Sequence, residues 1–136
     1  MTITRSDWEQ RFQSLNIESR AFIDGQYCAA ASGATFECIS PVDGRFLANV
    51  ASTDEADANA AVAVARRTFE SGVWANLAPA ERKRVLIRFA DLILANQEEL
   101  ALLETLDMGK PISDSMNVDI PATANAIRWT AEAIDK

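Results

Sequence analysis

The two cysteines, Cys28 and Cys38, are the most reactive side chains of this sequence. A thiol becomes a nucleophile when a neighbouring base favours the thiolate, and histidine is the usual base. The sequence contains no histidine, so neither cysteine has that partner. Two cysteines without further soft ligands also make a poor zinc site. Their spacing permits a disulfide, although a cytosolic chain keeps its thiols reduced. We predict that both fill small apolar gaps in or beside strands.

Acidic residues cluster in two places where general acid–base chemistry could be sought, at Glu98–Glu99 and in the run Asp54–Glu55–Asp57. Both clusters lie where the first turn of a helix is expected, and acidic residues there complement the helix dipole. We therefore assign the carboxylates to helix starts and predict no catalytic residue.

Gly109–Lys110 is the segment most similar to a phosphate-binding loop. Such a loop needs glycine where this sequence has Glu104, and serine or threonine where it has Pro111. The five glycines also form no G-x-G-x-x-G pattern. The sequence therefore predicts no nucleotide-binding residue of its own.

The composition is that of one globular domain, with 136 residues, 49% hydrophobic residues and a net charge of −7. Binding to nucleic acid requires a basic surface, so the charge argues against it. No apolar run is long enough to span a bilayer, and residues 1–7 lack the apolar core of a signal peptide. We expect a cytoplasmic protein without a nucleic-acid or membrane partner.

The first half of the chain predicts a short helix followed by hairpins. Trp8, Phe12 and Leu15 recur at helical spacing, which predicts an amphipathic helix from Ser6 to about Leu15. Residues 20–30 and 35–50 have strand character broken by the turn signals Asp24–Gly25 and Asp43–Gly44. We expect antiparallel hairpins that pack on helices.

Helices are predicted for the remainder. Ser52-x-x-Glu55 is typical of a capping box that opens a helix, whose buried stripe would consist of Ala58, Ala61, Val62, Ala65 and Phe69. Pro79 suits the first turn of the next helix, whose apolar face would consist of Val85, Leu86, Phe89, Leu92 and Ile93. Its basic residues favour a solvated face over an anion site.

A third helix is expected from about Gln97 to Met108, and a fourth from near Asp119, with a stripe formed by Ile120, Ala124, Ile127, Ala131 and Ile134. Gly109 can end the third helix with a positive φ, Lys110 would place positive charge beside its terminal carbonyls, and Pro111 prevents its continuation.

The segment Leu103–Pro111 has the sequence LETLDMGKP and resembles the aldehyde dehydrogenase superfamily, in which a D-x-G-K-P turn follows a leucine-rich helix. Further segments resemble the same family in the same order, namely FIDGQY from Phe22, SPVDG from Ser40, FESGVW from Phe69, PAER from Pro79 and RW from Arg128. The motifs ELALLE from Glu99 and DIP from Asp119 most resemble those of the family branch that oxidises aminoaldehydes from polyamine breakdown, such as γ-glutamyl-γ-aminobutyraldehyde dehydrogenase.

The resemblance implies an α/β fold for the intact family. This chain would then be mainly α-helical with an N-terminal antiparallel β-hairpin region, and it would lack the parallel nucleotide-binding sheet. Residues 1–19 are expected to form an N-terminal segment with a short helix. Residues 20–136 would be the first part of the coenzyme-binding domain, with hairpins followed by four helices.

The resemblance also implies a chemistry, in which a cysteine thiolate attacks the aldehyde to form a thiohemiacetal. Hydride then passes to NAD or NADP, and water releases the carboxylic acid. The family's nucleophile, base and nucleotide-binding strands follow the matched stretch, so no catalytic or cofactor-binding residue is carried over to this chain. Neither Cys28 nor Cys38 falls on the nucleophile's motif.

Two further roles follow from the resemblance alone. Asp107 matches a carboxylate that helps to hold a structural sodium or potassium ion in several relatives, and the backbone carbonyls near Cys38 and Ile39 match other ligands. The alternative for Asp107 is a hydrogen bond that closes the turn. Ala122 falls where relatives carry a larger residue that lines the aldehyde tunnel. The alternative for Ala122 is a helix alanine that reflects propensity.

The last apolar stripe runs to Lys136 without a helix terminator, and the helices have more apolar faces than this length can cover. We therefore expect an N-terminal fragment of an NAD(P)+-dependent aldehyde dehydrogenase that is inactive alone. Its full-length form would be a homodimer or homotetramer. The alternative function is a non-catalytic α-helical interaction module. The identity of the aldehyde and the choice between NAD and NADP stay open at this stage.

Overall fold

The computed structural model describes residues 3–136. In chain order its elements are α1 (Arg5–Gln13), β1 (Ala21–Ile23), β2 (Gln26–Cys28), β3 (Thr35–Ile39), β4 (Phe46–Ala51), α2 (Glu55–Glu70), α3 (Pro79–Ala95), α4 (Gln97–Met108), α5 (Ile112–Asp114), a π-helical turn (Ser115–Asp119) and α6 (Ile120–Ala133). They form two structural units. The first contains the described residues up to Ile17, Ser40–Arg45 and Pro79–Lys136, and the second contains Glu18–Ile39 and Phe46–Ala78. The expected boundary between residues 1–19 and 20–136 stays a prediction.

In the first unit, α1 begins one residue before the predicted Ser6 because Thr4 caps it. The Thr4 hydroxyl accepts a hydrogen bond from the backbone N–H of Asp7, and the Asp7 carboxylate accepts one from the backbone N–H of Thr4. This reciprocal arrangement satisfies two donors that a helix start leaves free. The hydrogen bonds from Thr4 hold the pKa of Asp7 below its usual value.

The second unit contains the strands, and both predicted hairpins are present. β1 pairs antiparallel with β2 through the two-residue turn Asp24–Gly25, in which both residues have positive φ (55° and 75°). Turns of this kind match the twist of the flanking strands. β3 pairs antiparallel with β4 from Thr35↔Ala51 to Ile39↔Phe46, and the register shifts between Cys38 and Ile39.

The start of α2 corrects the predicted Ser52–Glu55 capping box. The helix begins at Glu55 with Asp54 as its cap, and the carboxylates of Asp54 and Asp57 exchange backbone hydrogen bonds. Asp57 prevails over Glu55 because it is buried and also accepts a 2.9 Å hydrogen bond from the Ala31 backbone N–H. A contact distant in sequence therefore fixes the start of the helix.

The apolar stripe predicted for α2 is mostly exposed, so that prediction is wrong for this structure. Val62 is 67% exposed and Phe69 is 69% exposed, while Ala61 and Val64 are half-buried. Periodicity shows which face of a helix is apolar, whereas burial also requires a neighbour to cover that face.

Helices α3 and α6 form the main helix pair of the first unit. The predicted α6 stripe is confirmed, with Ala124 and Ala131 fully buried and its three isoleucines half-buried. Ala90 of α3 is also fully buried, so small residues on both helices permit a close approach. The predicted α3 face is only partly correct, because Leu86 and Ile93 are half-buried and the other three residues are exposed (Val85, Phe89 and Leu92).

Helix α4 has the predicted bounds, and α6 begins at Ile120 with Asp119 as its cap, as predicted. The short helix α5 and the π-helical turn that precede α6 were not predicted. The π-helical turn, Ser115–Asp119, immediately precedes Ile120 and Pro121. Proline has no N–H and its ring crowds the carbonyl four residues earlier, so a widened turn accommodates Pro121 inside a continuous helix.

The fold is thus mostly helical, with two small antiparallel sheets, as predicted for this part of an α/β family. Within residues 3–136, the helices are either too short or too polar to cross a bilayer. The expected cytoplasmic location stays a prediction.

Candidate functional site

The end of α4 is the best-defined turn of the first unit. Gly109 has φ 75° and ψ 14°, and its N–H donates a 2.9 Å hydrogen bond to the Thr105 carbonyl. A residue with a Cβ is strained at this φ, which explains glycine here. Pro111 then caps the short helix α5. The prediction of a helix stop at Gly109 and Pro111 is confirmed.

The loop Ser40–Arg45 packs against this turn. The buried Ser40 hydroxyl donates a 2.6 Å hydrogen bond to the carbonyl of Leu106, one of the terminal carbonyls that α4 cannot satisfy itself. A Cβ at Gly109 would lie 3.1 Å from Cγ of Pro41. Two segments of the family resemblance, SPVDG and LDMGKP, therefore meet in space, and sequence reasoning had treated them separately.

Lys110 follows the C-terminal glycine of α4 and forms a contact that was not predicted. Its ammonium forms an ion pair with Asp119, the last residue of the π-helical turn. This hydrogen bond raises the pKa of Lys110 above its usual value, and the charges of Glu104 and Asp114 act in the same direction. Lys110 therefore connects the α4 turn to the start of α6.

Further polar contacts join α4 to the π-helical turn. The Thr105 hydroxyl lies 3.3 Å from the hydroxyl of the fully buried Ser115, and the Gln97 side-chain amide donates to the Met116 carbonyl. Because Gln97 begins α4 and Thr105 is in its last turns, α4 contacts the π-helical turn along most of its length. These contacts were not predicted, because the expected helices end at Met108 and resume only near Asp119.

Ala122 lies in the first turn of α6 and is exposed. Ala122 is three residues after the end of the π-helical turn, so the orientation of its side chain depends on the conformation of that turn. Its predicted place in an aldehyde tunnel stays a prediction.

The predicted ion ligands lie in different units, with Asp107 at the end of α4 and Cys38 and Ile39 at the end of β3. Asp107 is exposed and Cys38 is half-buried. Residues 3–136 contain no group of three or more histidine, cysteine, aspartate or glutamate side chains that is arranged to hold a metal ion. The sodium or potassium site stays a prediction from the family resemblance.

Both cysteines lie in strands, as predicted. The Cys28 thiol donates to the Ala21 carbonyl at 3.6 Å across the first hairpin, and Cys38 is beside the register shift of the second. Both side chains are half-buried and neither forms a disulfide. Their location in strands agrees with the prediction, and their role as apolar fillers stays a prediction.

Two residues of the basic cluster of α3 form ion pairs with carboxylates. Lys83 contacts Glu132 at 2.6 Å and Asp135 at 3.4 Å, and Arg84 contacts Glu81 at 3.6 Å. The hydrogen bond to Glu132 raises the pKa of Lys83 above its usual value. These contacts account for two basic residues of α3, Lys83 and Arg84.

Comparison with known proteins identifies the family of this chain. A sequence model of the aldehyde dehydrogenase family matches residues 27–136. The chain belongs to the aldehyde dehydrogenase family. This match does not favour the alternative of a non-catalytic interaction module.

Individual aldehyde dehydrogenases are similar along almost the whole chain. The NADP/NAD-dependent aldehyde dehydrogenase PuuC of Escherichia coli (strain K12) is 53% identical over 129 residues, which are 95% of this chain and 26% of PuuC. P. syringae AldA indole-3-acetaldehyde dehydrogenase, solved with NAD+ and IAA, is 68% identical with a TM-score of 0.97, over 98% of this chain and 27% of AldA.

A solved γ-glutamyl-γ-aminobutyraldehyde dehydrogenase from Burkholderia cenocepacia J2315 is 57% identical with a TM-score of 0.95, over 96% of this chain and 27% of that protein. The chain thus spans about a quarter of the length of the aldehyde dehydrogenases that it matches. An aminoaldehyde dehydrogenase is among its close relatives, as the motifs ELALLE and DIP indicated.

Proposed function

We propose that this chain is part of an NAD(P)+-dependent aldehyde dehydrogenase that oxidises an aldehyde to a carboxylic acid. The family match over residues 27–136 carries the proposal, and the TM-score of 0.97 to AldA supports it. The overall reaction consumes the aldehyde, water and NAD(P)+ and yields the carboxylate, NAD(P)H and protons. The intact enzyme is a homodimer or homotetramer by the same resemblance.

The residues of this chain serve as a scaffold in that proposal. The sequence contains no histidine, and neither of its cysteines falls on the family's nucleophile motif, so the nucleophile in this proposal comes from another part of the enzyme. The contribution of the described residues is the connection from α4 to α6. It is stabilised by the ion pair between Lys110 and Asp119 and by the hydrogen bond between Gln97 and Met116. The chain alone is therefore inactive in this account.

The described residues do not fit a nucleotide cofactor. Their sheets are two-stranded and antiparallel, and they contain no pair of parallel strands with the glycine-rich turn that dinucleotide sites use. When bound to the intact enzyme, NAD(P)+ would accept hydride from the substrate. The name of PuuC specifies both NADP and NAD, and AldA was solved with NAD+, so both cofactors are candidates.

An aminoaldehyde is the substrate class that we propose first. Its support is the 57% identity to γ-glutamyl-γ-aminobutyraldehyde dehydrogenase and the small side chain of Ala122, which leaves room for a long substrate. Indole-3-acetaldehyde is the second candidate, because the identity to AldA is 68%. Both aldehydes are larger than acetaldehyde, and both require space at the entrance.

A chimera tests this proposal. In the AldA chimera, this chain replaces the matching quarter of P. syringae AldA. Replacing Ala122 by leucine is expected to lower kcat/KM for γ-glutamyl-γ-aminobutyraldehyde and indole-3-acetaldehyde by roughly tenfold, the effect of about one or two methylene groups in a pocket. Activity towards acetaldehyde should be unchanged.

The matched control is Ala133→Leu, which makes the same change at an exposed position near the other end of α6. It should leave all three substrates unaffected. The ratio of kcat/KM values for the aminoaldehyde and the indole substrate, compared with the same ratio in AldA itself, shows which of the two substrates this chain favours. Equal losses with all three aldehydes in Ala122→Leu would refute an entrance role for this position.

A further inference from the structure

The carbonyl of Met116 lacks the backbone hydrogen bond that a helix normally supplies. In an α-helix it would receive the N–H of Ile120, and with π spacing it would receive the N–H of residue 121. The Ile120 N–H instead donates to the Ser115 carbonyl, five residues earlier. Residue 121 is proline, which has no N–H. Both backbone donors are therefore unavailable to Met116.

A side chain from α4 satisfies this carbonyl. The Nε2 amide of Gln97 donates to the Met116 carbonyl, and the two residues are half-buried. A carbonyl left without a donor in a partly buried position costs free energy comparable to a lost hydrogen bond. Gln97 thus corrects the defect that Pro121 introduces.

The same turn is held at its other end by a charged pair. Lys110 binds Asp119, while Gln97 binds Met116 three residues earlier. The two anchors come from opposite ends of α4, because Gln97 is its first residue and Lys110 follows its C-terminal glycine. A π-helical turn fixed at two points has a defined geometry, and such turns occur often at functional sites.

We propose that Gln97 is a positioning residue for the substrate entrance. By capping the Met116 carbonyl, it holds the π-helical turn in the register that orients the first turn of α6 and therefore Ala122. The positioning claim rests on the proposed function, since it assigns Ala122 to the entrance. The hydrogen bond and its coupling to Pro121 are independent of that function.

The direct test uses the full chain and the variant Gln97→Glu. Glutamate has the same shape but its carboxylate cannot donate, and an acidic residue in the first turn of α4 is otherwise favourable. We expect the unfolding equilibrium constant to rise about tenfold because the carbonyl loses its donor. Glu99→Gln, the reverse exchange at an exposed position in the same turn, should have little effect.

A double-mutant cycle with Pro121→Ala identifies the cause. Alanine restores an N–H at residue 121 and favours the helix, so it supplies a backbone donor near Met116. The effect of Gln97→Glu should then largely disappear. An equal effect in both backgrounds would overturn the inference, because Gln97 would then stabilise the chain for a reason unrelated to Pro121.

Spectroscopy and kinetics complete the test. In the wild-type chain, a scalar coupling across the hydrogen bond should connect the Gln97 side-chain nitrogen to the Met116 carbonyl carbon. Absence of this coupling would show that the hydrogen bond between Gln97 and Met116 does not form. In the AldA chimera, Gln97→Glu should raise KM for indole-3-acetaldehyde severalfold, and by more than it raises KM for acetaldehyde. Unchanged KM values would overturn the positioning role. An inactive chimera would refute the proposed function and the positioning role, whereas the coupling still decides the bond.

Discussion

The hydroxyl of Ser40 donates a 2.6 Å hydrogen bond to the carbonyl of Leu106, and the two residues are 66 positions apart in the sequence. Ser40 is fully buried and Leu106 is 7% exposed. This contact joins the loop Ser40–Arg45 to the end of α4, where the most characteristic family segment lies. It also satisfies a helix carbonyl that would otherwise have no partner away from water.

Replacing Ser40 by alanine should therefore destabilise the chain by about 1–3 kcal/mol, because a buried carbonyl loses its donor. Ser14→Ala is the matched control, since the Ser14 hydroxyl also bonds a helix-terminal carbonyl, that of Arg11, but is exposed. It should cost less than about 0.5 kcal/mol. Urea unfolding of both variants provides the comparison, and equal costs would show that burial at Ser40 contributes nothing.

Asp57→Ala should cost a similar amount, about 1–3 kcal/mol, because the Ala31 and Asp54 backbone donors both lose their acceptor. Ser52→Ala tests the rejected capping box and should be nearly neutral. Denaturant midpoints of the two variants decide between the two helix starts. A larger loss for Ser52→Ala would restore the original interpretation.

Gly109→Ala should destabilise the chain more than Gly25→Ala. Both glycines have φ 75°. Alanine in this left-handed backbone conformation should destabilise the folded state by about 1 kcal/mol at either position. A Cβ at residue 25 would meet open space, whereas at residue 109 it would meet Pro41 at 3.1 Å. The difference in melting temperature isolates the contact with Pro41, and Pro41→Ala should reduce that difference.

The Lys110–Asp119 pair predicts a dependence on alkaline pH. The folded state raises the pKa of Lys110, so the pair contributes full stability below the unfolded value of roughly 10.4 and loses it as pH rises through the folded pKa. The stability difference between wild type and Lys110→Met should therefore be constant near neutral pH and shrink above about pH 10.4. A difference that grows with pH would contradict the assigned pair.

The sequence was sufficient for features that depend on local chemistry. Gly109, Pro111 and the α6 stripe behaved as predicted because left-handed turns, proline and helical periodicity act over a few residues. The two-residue turn at Asp24–Gly25 is correct for the same reason. The family resemblance likewise depended on short segments, and the comparison confirmed it.

Features that depend on distant partners were missed. Asp57 replaced Glu55 in the α2 cap because Ala31 supplies a donor from a loop far earlier in the chain. The π-helical turn was missed, because the last helix was expected to begin only near Asp119. The face of α3 that packs on α6 is set by Ala90, whose small size carries no periodic signal.

We propose that this chain forms about a quarter of an aldehyde dehydrogenase and has no catalytic centre of its own. Steady-state NADH formation from indole-3-acetaldehyde and NAD+ tests it most directly, with the 136-residue chain and the AldA chimera measured side by side. The account predicts no NADH from the chain alone and turnover by the chimera within about tenfold of AldA, since their folds agree closely. NADH formation by the chain alone, or a folded chimera without activity, would contradict it.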